Sequence, residues 1–186
     1  MRLRATQNPL DVFELEQRPT RNLTVKVWGA ISHFGVGPLV RYEETMDKFK
    51  YRRVLRDHLF QAFPFLEGAG DMEIEHPDLG PFFKFQEDNS SVHKANILEE
   101  WKEENGILNL TWPSNSPDIN IIENVWAYIE DRLHETKRTL RTPNDTWART
   151  QEIWNNIDLN FILNLYNSLP RRMIELKQMK GGPIPY

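Results

Sequence analysis

The stretch from Pro81 to Trp112 limits the possible folds of this chain more than any other. Pro81–Glu87 is a short, aromatic-rich run that reads as a strand ending at Asp88. Val92–Asn105 then carries Ile97, Leu98 and Trp101 at helical spacing, with Gly106 placed to stop it. Ile107–Trp112 returns to alternation, with Leu108, Leu110 and Trp112 on one face. A strand, helix and strand of this size predict a parallel pair joined by a right-handed crossover. In such sheets ligands gather beyond the carboxyl ends of the strands, which is where Asp88 falls.

The flanking sequence supplies more elements of both kinds. Leu23–Ser32 alternates, with Val25 and Val27 on one face, and His33–Gly37 supplies two glycines before Pro38–Tyr42, which predicts a hairpin. Tyr51, Val54, Leu55, His58 and Leu59 recur at helical spacing, so Asp47–Phe60 should be an amphipathic helix with His58 on its apolar stripe as a core residue. Pro64 to Pro81 reads as a long acidic loop. Ile122, Val125, Trp126, Ile129 and Leu133 predict a helix from Asn120 to about Glu135. Two more helices fit Asn144–Asn156 and Asn160–Lys180, the last kinked at Pro170. Trp28, Trp112 and Trp126 are most simply core aromatics.

Length and composition bound what such a chain can be. At 186 residues, 39% hydrophobic and 27% charged, it suits one domain with a sizeable core. It has no apolar run of about eighteen residues, so no membrane partner is expected. Without cysteine, any metal must take oxygen or imidazole ligands. A net charge of −4 lacks the basic excess of a dedicated nucleic-acid-binding domain. Basic residues nevertheless cluster at Arg132, Lys137, Arg138 and Arg141 and at Arg171, Arg172, Lys177 and Lys180, as solvated faces or as a surface that tracks phosphates.

Two carboxylates stand out. Asp88 at a strand end is either the head of an Asx turn with Ser90 or Ser91 or a metal ligand. Glu123 lies three residues after Asn120, the spacing of a capping box, and a carboxylate in that first turn can also serve as a ligand. His93 is placed either to orient a carboxylate or touch a phosphate, or to sit on the surface at a helix start. A sheet packed on the Glu123 helix could bring both carboxylates to one cleft. Two Mg²⁺ ions held about 3.5–4 Å apart can clamp the attacking and leaving oxygens of a phosphodiester. A carboxylate-pair hydrolase acting on sugars has only the pair itself in its favour.

The run Phe85–His93 (FQEDNSSVH) and the run Trp112–Trp126 (WPSNSPDINIIENVW), with Val27–Ser32 upstream and Leu169–Met173 and Lys180–Gly182 downstream, resemble the DDE catalytic domain of Tc/mariner superfamily transposases in order and spacing. The resemblance covers roughly Leu23 to Tyr186. It implies an RNase H-like α/β fold, a mixed sheet flanked by helices, with residues 23–186 as the domain and 1–22 as a partial N-terminal segment. It implies Asp88 and Glu123 as the second and third catalytic, metal-binding carboxylates, two Mg²⁺ (or Mn²⁺) ions, and DNA as partner, both transposon ends and target. It further implies a possible homodimer, a nuclear location in a eukaryote and an intracellular one otherwise. His93, Arg171 and Arg172 are the DNA-contact candidates.

The first Asp of the family triad lies on the central opening strand, in a phrase of the form Phe-Ser-Asp-Glu, and residues 1–21 have none. Asp11 is the only Asp before Trp28, and it follows a proline-containing turn too close to that tryptophan. The expectation is therefore an incomplete sheet lacking its first strand, and a fragment of a cut-and-paste transposase that is inactive by itself. The alternative is a host-retained or decayed derivative that binds DNA or protein without catalysis. Ile121 and Ser90-Ser91 stand where the family usually has or often has proline.

Overall fold

A computed structural model of the protein describes residues 23–63, 75–76, 80–81, 84–88, 90–110 and 117–179. Asp11, Trp112 and most of the acidic loop lie outside them.

The hairpin forms as β1 (Lys26–Ser32) and β2 (Gly35–Tyr42), antiparallel from Lys26 opposite Tyr42 to Ser32 opposite Gly35, with an irregularity between Gly29 and Ile31. His33 and Phe34 make the turn, and Gly35 has φ 121°, a conformation that side chains disfavour. The second strand starts earlier than Pro38, so Gly37 is a strand residue. A Cβ there would fall 2.3 Å from the Phe63 ring, which explains a glycine in mid-strand.

The helix expected over Asp47–Phe60 is present in three parts: α1 (Lys48–Val54), a π-helical turn (Leu55–Leu59) and α2 (Phe60–Ala62). Asp47 caps it, its Oδ1 accepting the amides of Phe49 and Lys50, both at 2.9 Å. Tyr51, Leu55 and Leu59 are buried in line, and His58 is half-buried beside them. Glu75–His76 (β3) pairs with Gly80–Pro81 (β4) as a separate ribbon.

The crossover unit is shorter than the sequence suggests. Its helix, α3, runs from Asn96 to Glu104 rather than from Val92, because turns over Ser90–Ala95 take up the chain after Asp88. Gly106 ends it at φ 65°. The two strands reduce to one parallel bridge between Phe85 and Asn109, made by Phe85 N to Leu108 O (2.7 Å) and Leu110 N to Phe85 O (2.8 Å). The strands around 23–32, 38–42, 82–87 and 107–112 therefore do not join into one mixed sheet among the described residues. On the Asp88 side the extended run is cut short by a turn. The hairpin meets Phe85 through side chains of one apolar cluster and not through backbone hydrogen bonds.

Beyond a 3₁₀ turn (Pro117–Ile119) come α4 (Ile122–Thr136), α5 (Pro143–Asn155) and α6 (Leu159–Gln178), which accommodates Pro170. Asn120 does not cap α4 and no capping box with Glu123 forms. Buried Ile121 holds the N-cap position instead, so the helix starts one residue late and only the Asn120 carbonyl receives the Glu123 amide, at 3.0 Å. The capping box lies elsewhere: Thr142 and Asp145 bond reciprocally at the start of α5, next to Pro143.

The hairpin sits between two apolar clusters. Ile31, Val36 and Leu39 pack on one built from α4, α5 and α6 around Val125, Ile129, Trp154 and Ile162. Trp28 and Ala30 join the other, around Tyr51, Leu55, Leu59 and Leu98. Trp154 stacks on Trp126, with centroids 5.4 Å apart, and its indole N–H donates to the Gly37 carbonyl at 3.0 Å. A Cβ on Gly29 would lie 2.8 Å from the Trp154 ring and 2.9 Å from that of Trp126. Gly29→Ala should thus overpack this contact and destabilise by about 1–3 kcal/mol, read as a lowered midpoint of thermal unfolding.

Candidate active site

Asp88 leaves the Phe85 bridge and turns at once. Its Oδ1 accepts the Ser90 amide at 2.9 Å, the Asx turn predicted for it, and lies 2.6 Å from His93 Nδ1. The same nitrogen is 3.3 Å from the Asp88 carbonyl oxygen. Both neighbours of Nδ1 are acceptors, so it is the protonated nitrogen and His93 donates. Oδ2 accepts no hydrogen bond among the described residues, and Asp88 is exposed. The turn therefore engages one oxygen of this carboxylate and, among the described residues, leaves the other without a hydrogen bond.

Glu123 stands in the first turn of α4, exposed, and lines with Asp88, Ser90, His93 and Gln86 a cavity of about 730 Å³. Although it is open to water, neighbouring atoms remove part of the hydration of its carboxyl. That effect first, then the charges of Asp88 and Glu130, raise it above the ordinary 4.5. The two carboxylates thus share one cavity and repel each other. Among the described residues no group of three His, Cys, Asp or Glu side chains forms a metal cluster.

The start of α4 is fixed from a distance. Arg172, on α6, is 3% exposed; its Nη1 donates to the Asp118 carbonyl (2.8 Å) and to Asn124 Oδ1 (3.0 Å), and its Nε to Ser168 Oγ (2.8 Å). Arg172 is therefore not available as a DNA contact. Its donors are held inside the fold, bracketing the turn that carries Glu123. Its neighbour Arg171 is exposed.

Three residues near Asp88 escaped the sequence analysis. Glu87 accepts from the Tyr51 hydroxyl at 2.7 Å with one oxygen and from Lys102 with the other. Lys102 is 1% exposed. It follows Leu98 by four positions on the buried face of α3, a spacing that marks the site in retrospect. Burial and the Glu87 charge push the Tyr51 hydroxyl well above the usual tyrosine range, so it stays a donor.

Similarity to known proteins agrees with this geometry. Residues 72–145, which include Asp88 and Glu123, match the family described as DDE superfamily endonuclease. The chain is 31% identical over 163 residues to the Tcb1 transposase of Caenorhabditis briggsae and 29% identical to the Tc1 transposase of Caenorhabditis elegans. Each alignment covers 88% of this chain and 55% of the relative, so the chain spans about half the length of the curated relatives it matches. Among solved structures, the Mos1 transposase catalytic domain with raltegravir and Mg superposes with a TM-score of 0.69 at 18% identity, covering 87% of this chain and 77% of that one. A pre-cleavage Mos1 transpososome gives 0.72 at 17% identity, covering 100% and 53%. Residues 72–145 thus carry a DDE superfamily endonuclease domain, and the chain shares the RNase H-like fold of the Mos1 catalytic domain. The relatives it matches in sequence, and the solved structures it matches in fold, are Tc/mariner transposases.

The mutual repulsion is measurable. Asp88→Asn should lower the Glu123 pKa, followed by ¹³C NMR titration, yet leave it above 4.5, because lost hydration is the larger cause and persists. The sign for stability follows: a carboxyl raised in the folded state holds a proton that the unfolded chain releases near 4.5. Its contribution is present below that pH and is lost as pH rises through the folded value. Glu123→Gln should abolish that part of the slope.

Proposed function

We propose that this chain supplies part of the catalytic centre of a cut-and-paste DNA transposase, with Asp88 and Glu123 as divalent-cation ligands. The observation that carries it is the pair itself: two carboxylates from distant sequence positions line one cavity, and the charge of Asp88 raises Glu123. Two anionic oxygen ligands suit a hard cation such as Mg²⁺ or Mn²⁺, which is commonly held by one or two carboxylates together with substrate phosphates. A cation there would relieve the repulsion between them. When bound, it would supply activation of water, then of a DNA 3′-hydroxyl, for attack on phosphodiesters. The chain's own residues do the rest. His93 and the Ser90 amide hold Asp88 Oδ1 and leave Oδ2 without a hydrogen bond among the described residues, and Arg172 brackets the turn that carries Glu123.

The partners proposed are transposon ends and target DNA, with exposed Arg171 and half-buried His93 as contacts and a nucleus as the setting in a eukaryote. We further propose that, with Asp88 and Glu123 as two of the three carboxylates that the family resemblance implies, the chain by itself holds one ion weakly and does not cut DNA.

Mn²⁺ titration followed by paramagnetic broadening should affect residues near Asp88 and Glu123 first, and Asp88→Asn or Glu123→Gln should each weaken binding by about tenfold or more. Equal binding by both variants would remove the metal site. Matching transposon ends incubated with Mg²⁺ or Mn²⁺ should stay uncut by this chain and be cut by a version extended to supply a third carboxylate. Cleavage by the chain itself would refute its inactivity, and none by the extended version would favour a binding module without catalysis.

A further inference from the structure

Beneath Asp88 runs a continuous set of contacts that begins at a buried cation. Lys102 bonds Glu87, Glu87 accepts the Tyr51 hydroxyl at 2.7 Å, and the Tyr51 ring lies against the His93 imidazole with centroids 4.1 Å apart and planes at 30°. His93 Nδ1 is in turn 2.6 Å from Asp88 Oδ1. Tyr51 is 1% exposed, and Trp28 meets its ring edge-on at 6.5 Å. The ring cannot shift without pulling its hydroxyl from Glu87, and an unpaired carboxylate oxygen in that interior is costly. The imidazole is therefore confined on its α1 side by a surface that is itself immobile.

A phenylalanine would fill the same space with no need for a buried lysine paired to a half-buried glutamate. Buried ion pairs add little to stability compared with apolar packing, so their presence directly under the site points to orientation. We propose that Tyr51, locked by Glu87 and Lys102, is a positioning residue for Asp88: its ring holds His93 with Nδ1–H on Oδ1, so that Oδ2 is the oxygen presented to a divalent cation. The proposal rests on Asp88 being a metal ligand. Tyr51 touches neither cation nor substrate and acts through His93 alone.

The test uses Mn²⁺ affinity of the whole chain, measured by electron paramagnetic resonance of the free ion, with imidazole ¹⁵N shifts as a metal-free readout at alkaline pH. Tyr51→Leu should weaken Mn²⁺ binding by about tenfold, the usual scale for residues that orient a ligand. Without metal it should also turn His93 from a single Nδ1–H tautomer into a mixture. Tyr51→Phe, which keeps the ring, should restore most of both. Leu59→Ala, a cavity in the same apolar cluster, controls for general loosening: it should lower the unfolding midpoint and leave affinity and tautomer unchanged. Wild-type affinity and a single tautomer in Tyr51→Leu would overturn the proposal, as would equal losses in Leu59→Ala. If Asp88→Asn binds Mn²⁺ as well as the original chain, Asp88 is not a ligand and the cation part falls with the proposed function. The tautomer result then decides separately whether Tyr51 positions His93.

Discussion

The packing of tryptophan and phenylalanine rings onto bare backbone at Gly29 and Gly37 is the contact on which the rest of this fold depends. A β-hairpin with side chains on both faces would hold neighbouring layers apart by the thickness of those side chains. Here glycine lets the Trp154 and Trp126 rings close on one face and the Phe63 ring on the other, both nearer than a Cβ would allow. The Trp154 N–H then finds a carbonyl on the same strand pair, which removes the cost of burying a polar ring edge. The two apolar clusters are thereby fixed to a common core element, and with them the two carboxylates that each cluster supports from its own side.

The cavity shows a division between its exposed carboxylates and the less exposed groups behind them. Asp88 and Glu123 are exposed and have less exposed groups behind them: a half-buried histidine backed by a buried tyrosine for one, and for the other a buried arginine that bonds the residues around its turn. The charged residues of the region are thus of two kinds. Those exposed face water, and those buried or half-buried, Lys102 and Arg172 in the first group and Glu87 in the second, have each found partners that satisfy them. A buried charge without such partners would neutralise or move to water.

Much of this was legible in the sequence because apolar periodicity survives in almost any context. The stripe of Tyr51, Leu55 and Leu59, the α4–α6 helices and the alternation of β1 all rest on it, and the Asp88 turn follows from Asp preceding Ser90 at the right distance. What was not legible depends on partners distant in sequence. Lys102 and Arg172 look like surface cations until the fold brings Glu87, Asp118 and Asn124 to them. The capping expected at Asn120 failed because Ile121 is drawn into the core, a tertiary demand that outweighs a local hydrogen bond. Among the described residues the sheet pairing is shorter than expected for a related reason: alternation shows that a segment can be a strand, whereas pairing needs a neighbour at hand along its whole length.

Arg172 also has a bearing on the order in which the molecule comes into being. The first turn of α4 has no side-chain cap of its own, and the guanidinium that brackets it sits late in α6. During synthesis Asp88 and Glu123 emerge well before that arginine does, and α6 must both form and dock before the donors reach Asp118 and Asn124. The nascent chain therefore passes through a stage in which both carboxylates exist but the start of the Glu123 helix is still unset. Until α6 has closed on the body, the protein carries both carboxylates without the settled turn that places Glu123.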